Sequence, residues 1–66
     1  MNEYRIEYSY ITSDGQRENE TDTSTAWTAQ EAVDDVRRWY GDLDDLRIEY
    51  VWVDRDNRWE ITEAWG

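Results

Sequence analysis

The sequence has no cysteine, no histidine and no proline. Without cysteine, the chain can form no disulfide and no thiolate metal site. Without histidine, it lacks the commonest general base and the commonest nitrogen ligand for metals. We therefore predict a protein that is not an enzyme and that uses neither a cofactor nor a metal ion.

Long apolar runs are missing as well. No stretch approaches the ~20 apolar residues that a bilayer-spanning helix needs. The opening Met1-Asn2-Glu3-Tyr4 lacks the basic and then apolar order of a signal peptide. These absences predict a cytoplasmic protein that makes no contact with a membrane.

Aromatic side chains are abundant by contrast, because the 66 residues include five tryptophans and five tyrosines. A chain of this length forms one domain and buries only about 60% of the surface that its unfolded state exposes. Each of these side chains can bury roughly 150–250 Å². We therefore expect a single domain over residues 1–66, with a thin core supplied mainly by the aromatic residues.

Negative charge is the other abundant feature. Seventeen acidic residues stand against seven basic ones, which gives a formal net charge of −10, and every basic residue is an arginine. Charge of this density keeps a protein soluble, repels nucleic acid and attracts basic surfaces. We expect a cationic partner and no direct contact with nucleic acid.

The first part of the chain has the pattern of a β-hairpin. Apolar and polar residues alternate over residues 4–11, as in a half-buried strand. The pair Asp14-Gly15 follows and is a strong hairpin signal, so residues 17–25 should return antiparallel to the first strand. This second strand has no large apolar residue, and its charges suit a position at the edge of the sheet.

A capping box predicts where a helix begins. The Thr28 hydroxyl and the Glu31 carboxylate can bond the first free amides, and Trp27 stands where a hydrophobic staple would. The helix should run for about 12 residues, and Gly41 fits a left-handed stop. Its apolar stripe consists of Ala29, Ala32, Val33, Val36, Trp39 and Tyr40.

Two more strands complete the pattern, over residues 46–53 and about residues 58–65, with a turn at residues 54–57. The resulting order is ββαββ. We therefore predict an α+β domain, with a four-stranded, mainly antiparallel sheet and one helix packed on one face. The other face of the sheet, here called the open face, should contact water.

Side-chain alternation assigns residues to the two faces. If Trp27 points to the core, then Glu18, Glu20 and Asp22 lie on the open face. The same rule places further charged residues there, namely Glu3, Glu7, Glu49, Glu60, Arg5, Arg47 and Arg58. It places the aromatic residues Tyr50, Trp52, Trp59 and Trp65 in the core, together with Ile61.

Val51 and Val53, with Ile11, fall on the open face by this rule and make a small apolar strip. Such a strip can be a contact with a partner or with a second copy of the chain. It can equally be an ordinary scatter of exposed apolar residues. The sequence therefore leaves both a monomer and a weak homodimer open.

The carboxylate row, formed by Glu18, Glu20 and Asp22, is the first candidate for partner binding. Residues two apart on a strand place successive charges roughly 6.6 Å apart, similar to neighbouring phosphates along a nucleic-acid strand. The row can therefore copy a phosphate backbone. The alternative interpretation is an edge strand kept soluble by its charge.

The loop cluster, formed by Asp42, Asp44 and Asp45, is the second candidate. With the helix acids Glu31, Asp34 and Asp35 it could extend a negative band around the molecule. We expect part of the helix charge to be neutralised locally, because Asp34 can pair with Arg38 at i+4 and with Arg37 at i+3.

These features resemble the small acidic proteins that phages encode against host defences, especially anti-CRISPR proteins and other DNA mimics. The resemblance rests on the short single domain, the missing histidine and cysteine, the acidic strand from Glu18 to Asp22 and the loop cluster. It implies a non-catalytic inhibitor in the host cytoplasm. It also implies that the inhibitor binds the basic, DNA-recognising surface of a CRISPR effector.

A second hypothesis explains the same composition differently. Zero lysines against seven arginines, and a strongly acidic surface, also fit a structural or interaction protein of a salt-adapted or high-GC organism. Such a protein has evenly spread carboxylates and no target related to nucleic acid. The placement of the carboxylates distinguishes the two hypotheses, because a mimic needs a continuous row on one face.

Overall fold

A computed structural model of the chain describes residues 1–62, which hold four strands and one helix in the predicted order. The strands form an antiparallel sheet in the order β2-β1-β3-β4. The α+β class and the edge position of the second strand are thus confirmed. The elements are β1 (Asn2–Ile11), β2 (Arg17–Ala26), α1 (Ala29–Tyr40), β3 (Asp44–Arg55) and β4 (Arg58–Ile61).

The last predicted strand is described only in part. β4 ends at Ile61, and Thr62 donates its backbone N–H to the Val51 carbonyl oxygen at 2.8 Å. The predicted outer part of this strand, including Trp65, lies outside the described residues.

The predicted hairpin joins β1 and β2, which pair along their whole length from Asn2–Ala26 to Ile11–Arg17. Gly15 takes the left-handed conformation, with φ 85°, and donates its N–H to the Thr12 carbonyl oxygen at 2.9 Å. A side chain at this φ is strained, which explains the glycine. The long register makes β2 an extended, regular edge.

The Thr28 half of the capping box is confirmed at the start of α1, while the Glu31 carboxylate bonds the residue before the cap. The Thr28 hydroxyl oxygen accepts the Glu31 N–H at 3.1 Å, and the Glu31 carboxylate accepts the Trp27 N–H at 3.1 Å. The Trp27 ring itself stays 65% exposed. The helix start is therefore fixed by hydrogen bonds rather than by burial of this tryptophan.

Gly41, which follows the last helical residue Tyr40, does not take the predicted conformation. Gly41 has φ −64°, so the expected left-handed stop is wrong. A Cβ atom at this position would lie 2.5 Å from the backbone oxygen of Arg37. Glycine is required here because the chain passes too close to the last turn for a side chain.

We expect Gly41→Ala to lower the free energy of unfolding by roughly 1–3 kcal/mol, because the added methyl group overlaps a backbone atom that cannot rotate away. Urea denaturation followed by circular dichroism measures the loss. Asp42→Ala, one residue along and exposed, is the matched control and should change stability by less than about 0.5 kcal/mol. Equal stability of the two variants would contradict the steric explanation.

The core lies between α1 and one face of the sheet and is mainly aliphatic. Among the described aromatic residues only Tyr4 and Tyr8 are buried, so the expectation of an aromatic core is wrong. In the helix stripe, Trp39 is an exposed exception. The other buried apolar residues are Ile6, Ala26, Ala32, Val33, Val36, Ile48, Val51 and Val53.

A bulge in β3 reverses the predicted faces of its second half. Glu7 of β1 pairs with Tyr50, but the next residue, Tyr8, pairs with Ile48, which leaves Glu49 as an extra residue. An extra residue shifts the side-chain alternation by one. Ile48 therefore faces the core, and so do Val51 and Val53, which the alternation rule had placed on the open face.

The same shift moves aromatic side chains out of the core. Tyr50 and Trp52 lie on the open face beside Glu7 and Arg5, their partners on β1. In β4, Ile61 pairs with Trp52 and Trp59 with Asp54, so both follow the open face. Glu60 pairs with the buried Val53 and, like Arg58, lies on the helix side, so their predicted positions are wrong as well.

The predicted face of β2 is also wrong. Glu20 pairs with Tyr8 and Asp22 with Ile6, both core residues of β1, so the carboxylate row lies on the helix side of the sheet. The buried residues at this end of β2 are the small Ser24 and Ala26, whereas Trp27, from which the faces were predicted, is exposed. Glu3, Glu7, Arg5, Arg47 and Glu49 do lie on the open face, as predicted.

Candidate partner-binding surface

The carboxylate row occupies the part of β2 that α1 does not cover. Glu18 and Glu20 are exposed and Asp22 is half-buried. Their two-residue spacing on a regular strand keeps all three side chains on one face, with successive charges roughly 6.6 Å apart. The row is therefore continuous and open to a partner, although on the face opposite to the predicted one.

A stack of three tyrosine rings lies alongside the row. The Tyr8 ring is 6.3 Å from the Tyr10 ring and 5.1 Å from the Tyr40 ring, measured between centroids. The Tyr40 hydroxyl donates to the Asp22 carboxylate, and the Tyr10 hydroxyl donates to Glu20 at 3.4 Å. The stack thus holds two of the three carboxylates in place.

The carboxylates in turn make these phenols harder to ionise. Burial raises the pKa of the Tyr8 phenol well above its usual value, and a hydrogen bond with Tyr40 adds to the effect. The hydrogen bond to Asp22 raises the pKa of Tyr40. Partial desolvation and then the charges of Glu20 and Glu18 raise the pKa of Tyr10. The phenols therefore stay neutral hydrogen-bond donors at physiological pH.

These raised pKa values predict a loss of stability at high pH. A phenol whose pKa is higher in the folded chain stabilises the fold below its ordinary pKa of about 10, and this contribution is lost as the pH rises further. We expect the free energy of unfolding to fall as the pH rises above about 10. Denaturation at a series of pH values measures it.

Asp22→Asn separates the contribution of the row from that of burial. Removal of the carboxylate charge should lower the pKa of Tyr40, so that tyrosinate absorbance appears at lower pH than in the unchanged chain. Asp56→Asn, in the turn before β4, is the control and should leave the titration unchanged. If both titrations coincide with that of the unchanged chain, the coupling between Asp22 and Tyr40 is absent.

The loop cluster does not form one unit in the structure. Asp45 has φ 51° at the irregular start of β3 and turns to the open face, where it forms ion pairs with Arg17 and Arg47. Arg17 also donates to the Ser9 hydroxyl oxygen at 2.8 Å, and Ser9 donates to Glu49 at 2.6 Å. Asp45 is therefore already neutralised within the fold.

Asp42 and Asp44 remain exposed at the same end of the sheet as the row. Asp44 pairs with Ile11, which pairs with Arg17 on its other side, so Asp44 lies two strand spacings from β2, about 9.5 Å. Asp42 lies in the loop that follows Tyr40, the residue bound to Asp22. Asp44 shares the open face with its partner Ile11, so it lies on the face opposite to the row, whereas Asp42 adds negative charge at the end of α1.

The helix acids serve local structure. Asp35 accepts the hydroxyl proton of the buried Ser24 at 2.7 Å and forms an ion pair with Arg38, while Asp34 accepts the Gln30 amide at 2.9 Å. The predicted pairing of Asp34 with Arg38 is therefore replaced by a pair one residue along. These acids line a cavity of about 380 Å³ between α1 and the end of β2.

Sequence reasoning missed the tyrosine stack beside the row and, on the open face, the contact between Arg17 and Ser9. The alternation of β1 places Tyr8 and Tyr10 on the helix side of the sheet. Because the row was predicted on the open face, the sequence offered no reason to bring these tyrosines and the row together. Within residues 1–62, no group of three or more acidic side chains is placed to hold a metal ion. The described helix is too short and too polar to cross a membrane.

Comparison of the chain with protein-family models, with curated proteins and with solved structures gave no match.

Proposed function

We propose that the chain is a non-catalytic inhibitor that binds, through its carboxylate row, the basic nucleic-acid-binding surface of another protein. The observation that carries this proposal is the continuous row on the exposed edge strand β2, at a spacing close to that of phosphates. Arginine and lysine side chains that normally neutralise phosphates would meet fixed carboxylates instead.

The support for the row is what makes such mimicry effective. Glu20 and Asp22 accept hydrogen bonds from Tyr10 and Tyr40, so their positions are set before a partner arrives. Groups held in the bound geometry lose less conformational freedom on binding. The formal net charge of −10 adds long-range attraction to a basic surface and speeds the encounter.

More specifically, we propose that the partner is a CRISPR effector complex. The chain would then be a phage-encoded anti-CRISPR protein that acts in the host cytoplasm. This form rests on the compositional resemblance described above. The partner would be blocked where duplex DNA or its recognition motif enters, because the row competes for the same basic side chains.

A capture experiment tests the proposal. The tagged chain is incubated with lysates of candidate bacterial hosts over a series of salt concentrations, and the bound proteins are identified by mass spectrometry. We expect a nucleic-acid-binding protein that is released both by added DNA and by rising salt. If added DNA releases none of the captured proteins, the result would contradict mimicry.

One observation favours the salt-adaptation hypothesis as a second candidate. Carboxylates also occur on the open face, at Glu3 and Glu7, and on the helix, at Glu31 and Asp34. This wider distribution is typical of a surface adapted to high salt. Circular dichroism in buffer without added salt distinguishes the two, because a salt-dependent protein of this charge loses structure when repulsion is unscreened. We expect the chain to stay folded.

A further inference from the structure

The open face carries an exposed aromatic strip, formed by Tyr50 and Trp52 of β3 and by Trp59 and Ile61 of β4. Tyr50 is 46% and Trp59 40% exposed. The Tyr50 and Trp52 rings lie 5.7 Å apart between centroids, so these two rings form one surface, and the register places Trp59 and Ile61 on the same face of the neighbouring strand. This surface is on the other side of the sheet from the carboxylate row and needs its own explanation.

One ring of the strip already binds a guanidinium group. The Arg5 guanidinium carbon lies 5.4 Å from the centre of the Trp52 ring, which is within the range of a cation–π contact. Arg5 is the register partner of Trp52 on β1, so the backbone holds the two side chains on the same face. The contact shows the geometry in which this strip accepts an arginine.

Each of the two neighbouring rings has a carboxylate beside it. Tyr50 pairs in register with Glu7, and Trp59 pairs with Asp54, so each ring and its acid lie on the same face with Cα atoms about 4.5–5.5 Å apart. Within residues 1–62, neither Glu7 nor Asp54 forms an ion pair. The strip therefore presents two ring-and-carboxylate pairs on either side of the Trp52 ring, whose face Arg5 already covers.

We propose that the open face is a second binding surface, which takes two arginine side chains of an extended protein segment on the pairs Tyr50–Glu7 and Trp59–Asp54. A guanidinium satisfies both members of such a pair, because it stacks on the ring with its plane and bonds the carboxylate with its N–H groups. This inference stands on the open face alone and does not depend on the function of the carboxylate row.

The chemistry of the pairs selects arginine among the ligands that aromatic surfaces bind. A lysine ammonium group is compact and strongly hydrated, so it gains less from an exposed ring than a guanidinium does. Nucleobases also stack on aromatic rings, but their phosphates would be repelled by Glu7, Asp54 and the net charge of the chain. The fit is therefore to an arginine-bearing peptide.

Calorimetry with two peptides of equal length tests the proposal, one alternating arginine with serine and the other alternating lysine with serine. We expect the arginine peptide to bind roughly tenfold more tightly, since two exposed cation–π contacts act together. Trp59→Leu should reduce the affinity for the arginine peptide about threefold to fivefold. The exposed Trp27 lies outside the strip, so Trp27→Leu is the matched control and should leave the affinity unchanged.

Other outcomes separate this surface from the carboxylate row. Glu18→Gln with Glu20→Gln should weaken both peptides alike and preserve the preference for arginine. In the unchanged chain, NMR should show the indole N–H signal of Trp59 shifting with the arginine peptide while that of Trp27 stays in place. Equal affinities for the two peptides, or equal responses of Trp59 and Trp27, would overturn the proposal.

Discussion

Glu18→Gln, Glu20→Gln and Asp22→Asn together should abolish inhibition and weaken binding to the basic partner by about a hundredfold or more. Each replacement removes a carboxylate that would form a charge-assisted hydrogen bond, and three such losses add to more than 3 kcal/mol. The effect should appear mainly as faster dissociation. Surface plasmon resonance with the captured partner measures both rate constants.

The fold should survive these three replacements. Glu18 and Glu20 are exposed, and an asparagine at position 22 can still accept the Tyr40 hydroxyl proton. The matched control changes the net charge by the same amount elsewhere, through Asp34→Asn, Asp56→Asn and Glu60→Gln. We expect the control to retain most of its affinity. If both variants lose affinity equally, total charge rather than the row explains binding.

Val51→Asn should leave the chain largely unfolded, whereas Tyr50→Asn should leave it folded. Val51 is fully buried against α1, and an amide placed there loses apolar burial and lacks a hydrogen-bond partner, at a cost of about 3 kcal/mol or more. A core in a domain of this size supplies only about 3–5 kcal/mol. Tyr50 lies on the open face, where the same replacement costs about 1 kcal/mol or less.

Thermal denaturation followed by circular dichroism compares these two adjacent replacements. The pair is informative because simple alternation, counted from Leu46 without a bulge, predicts the reverse, with Tyr50 in the core and Val51 exposed. A folded Val51→Asn variant beside an unfolded Tyr50→Asn variant would mean that the bulge at Glu49 does not exist.

The positions of the elements could be predicted from the sequence because local signals determine them. Alternation gave β1, the Asp14-Gly15 pair gave the hairpin, and the Thr28–Glu31 capping box gave the start of α1. Each of these signals involves residues close together in the chain. The ββαββ order then left a four-stranded sheet with one helix as the natural arrangement.

The faces of β2 and of half of β3 could not be predicted in the same way. Leu46 and Ile48 are apolar in one phase of the alternation, Val51 and Val53 in the other, and the sequence does not show which phase is buried where. The bulge at Glu49 shifts the alternation, so Ile48 is buried before the bulge and Val51 and Val53 are buried after it. In β2 the buried residues are the small Ser24 and Ala26, which carry little hydrophobic signal.

Part of the candidate surface could be predicted because the spacing of residues along one strand is a local signal. Glu18, Glu20 and Asp22 form the predicted continuous row, because two-residue spacing on any regular strand keeps side chains together. The side chains that lie beside the row depend on the register between β1 and β2 and on which face the row occupies. The tyrosine stack was therefore not predicted. Asp45 was predicted as part of the surface, but its contacts with Arg17 and Arg47 arise from an irregular backbone turn that the sequence does not mark.

Amide chemical-shift mapping of the isotope-labelled chain with its captured partner tests most directly whether the carboxylate row is the binding surface. We expect the largest changes in β2 at Glu18, Glu20 and Asp22, and their disappearance when DNA displaces the chain from the partner. Changes confined to other elements, with the β2 amides unmoved in the complex, would contradict the central claim.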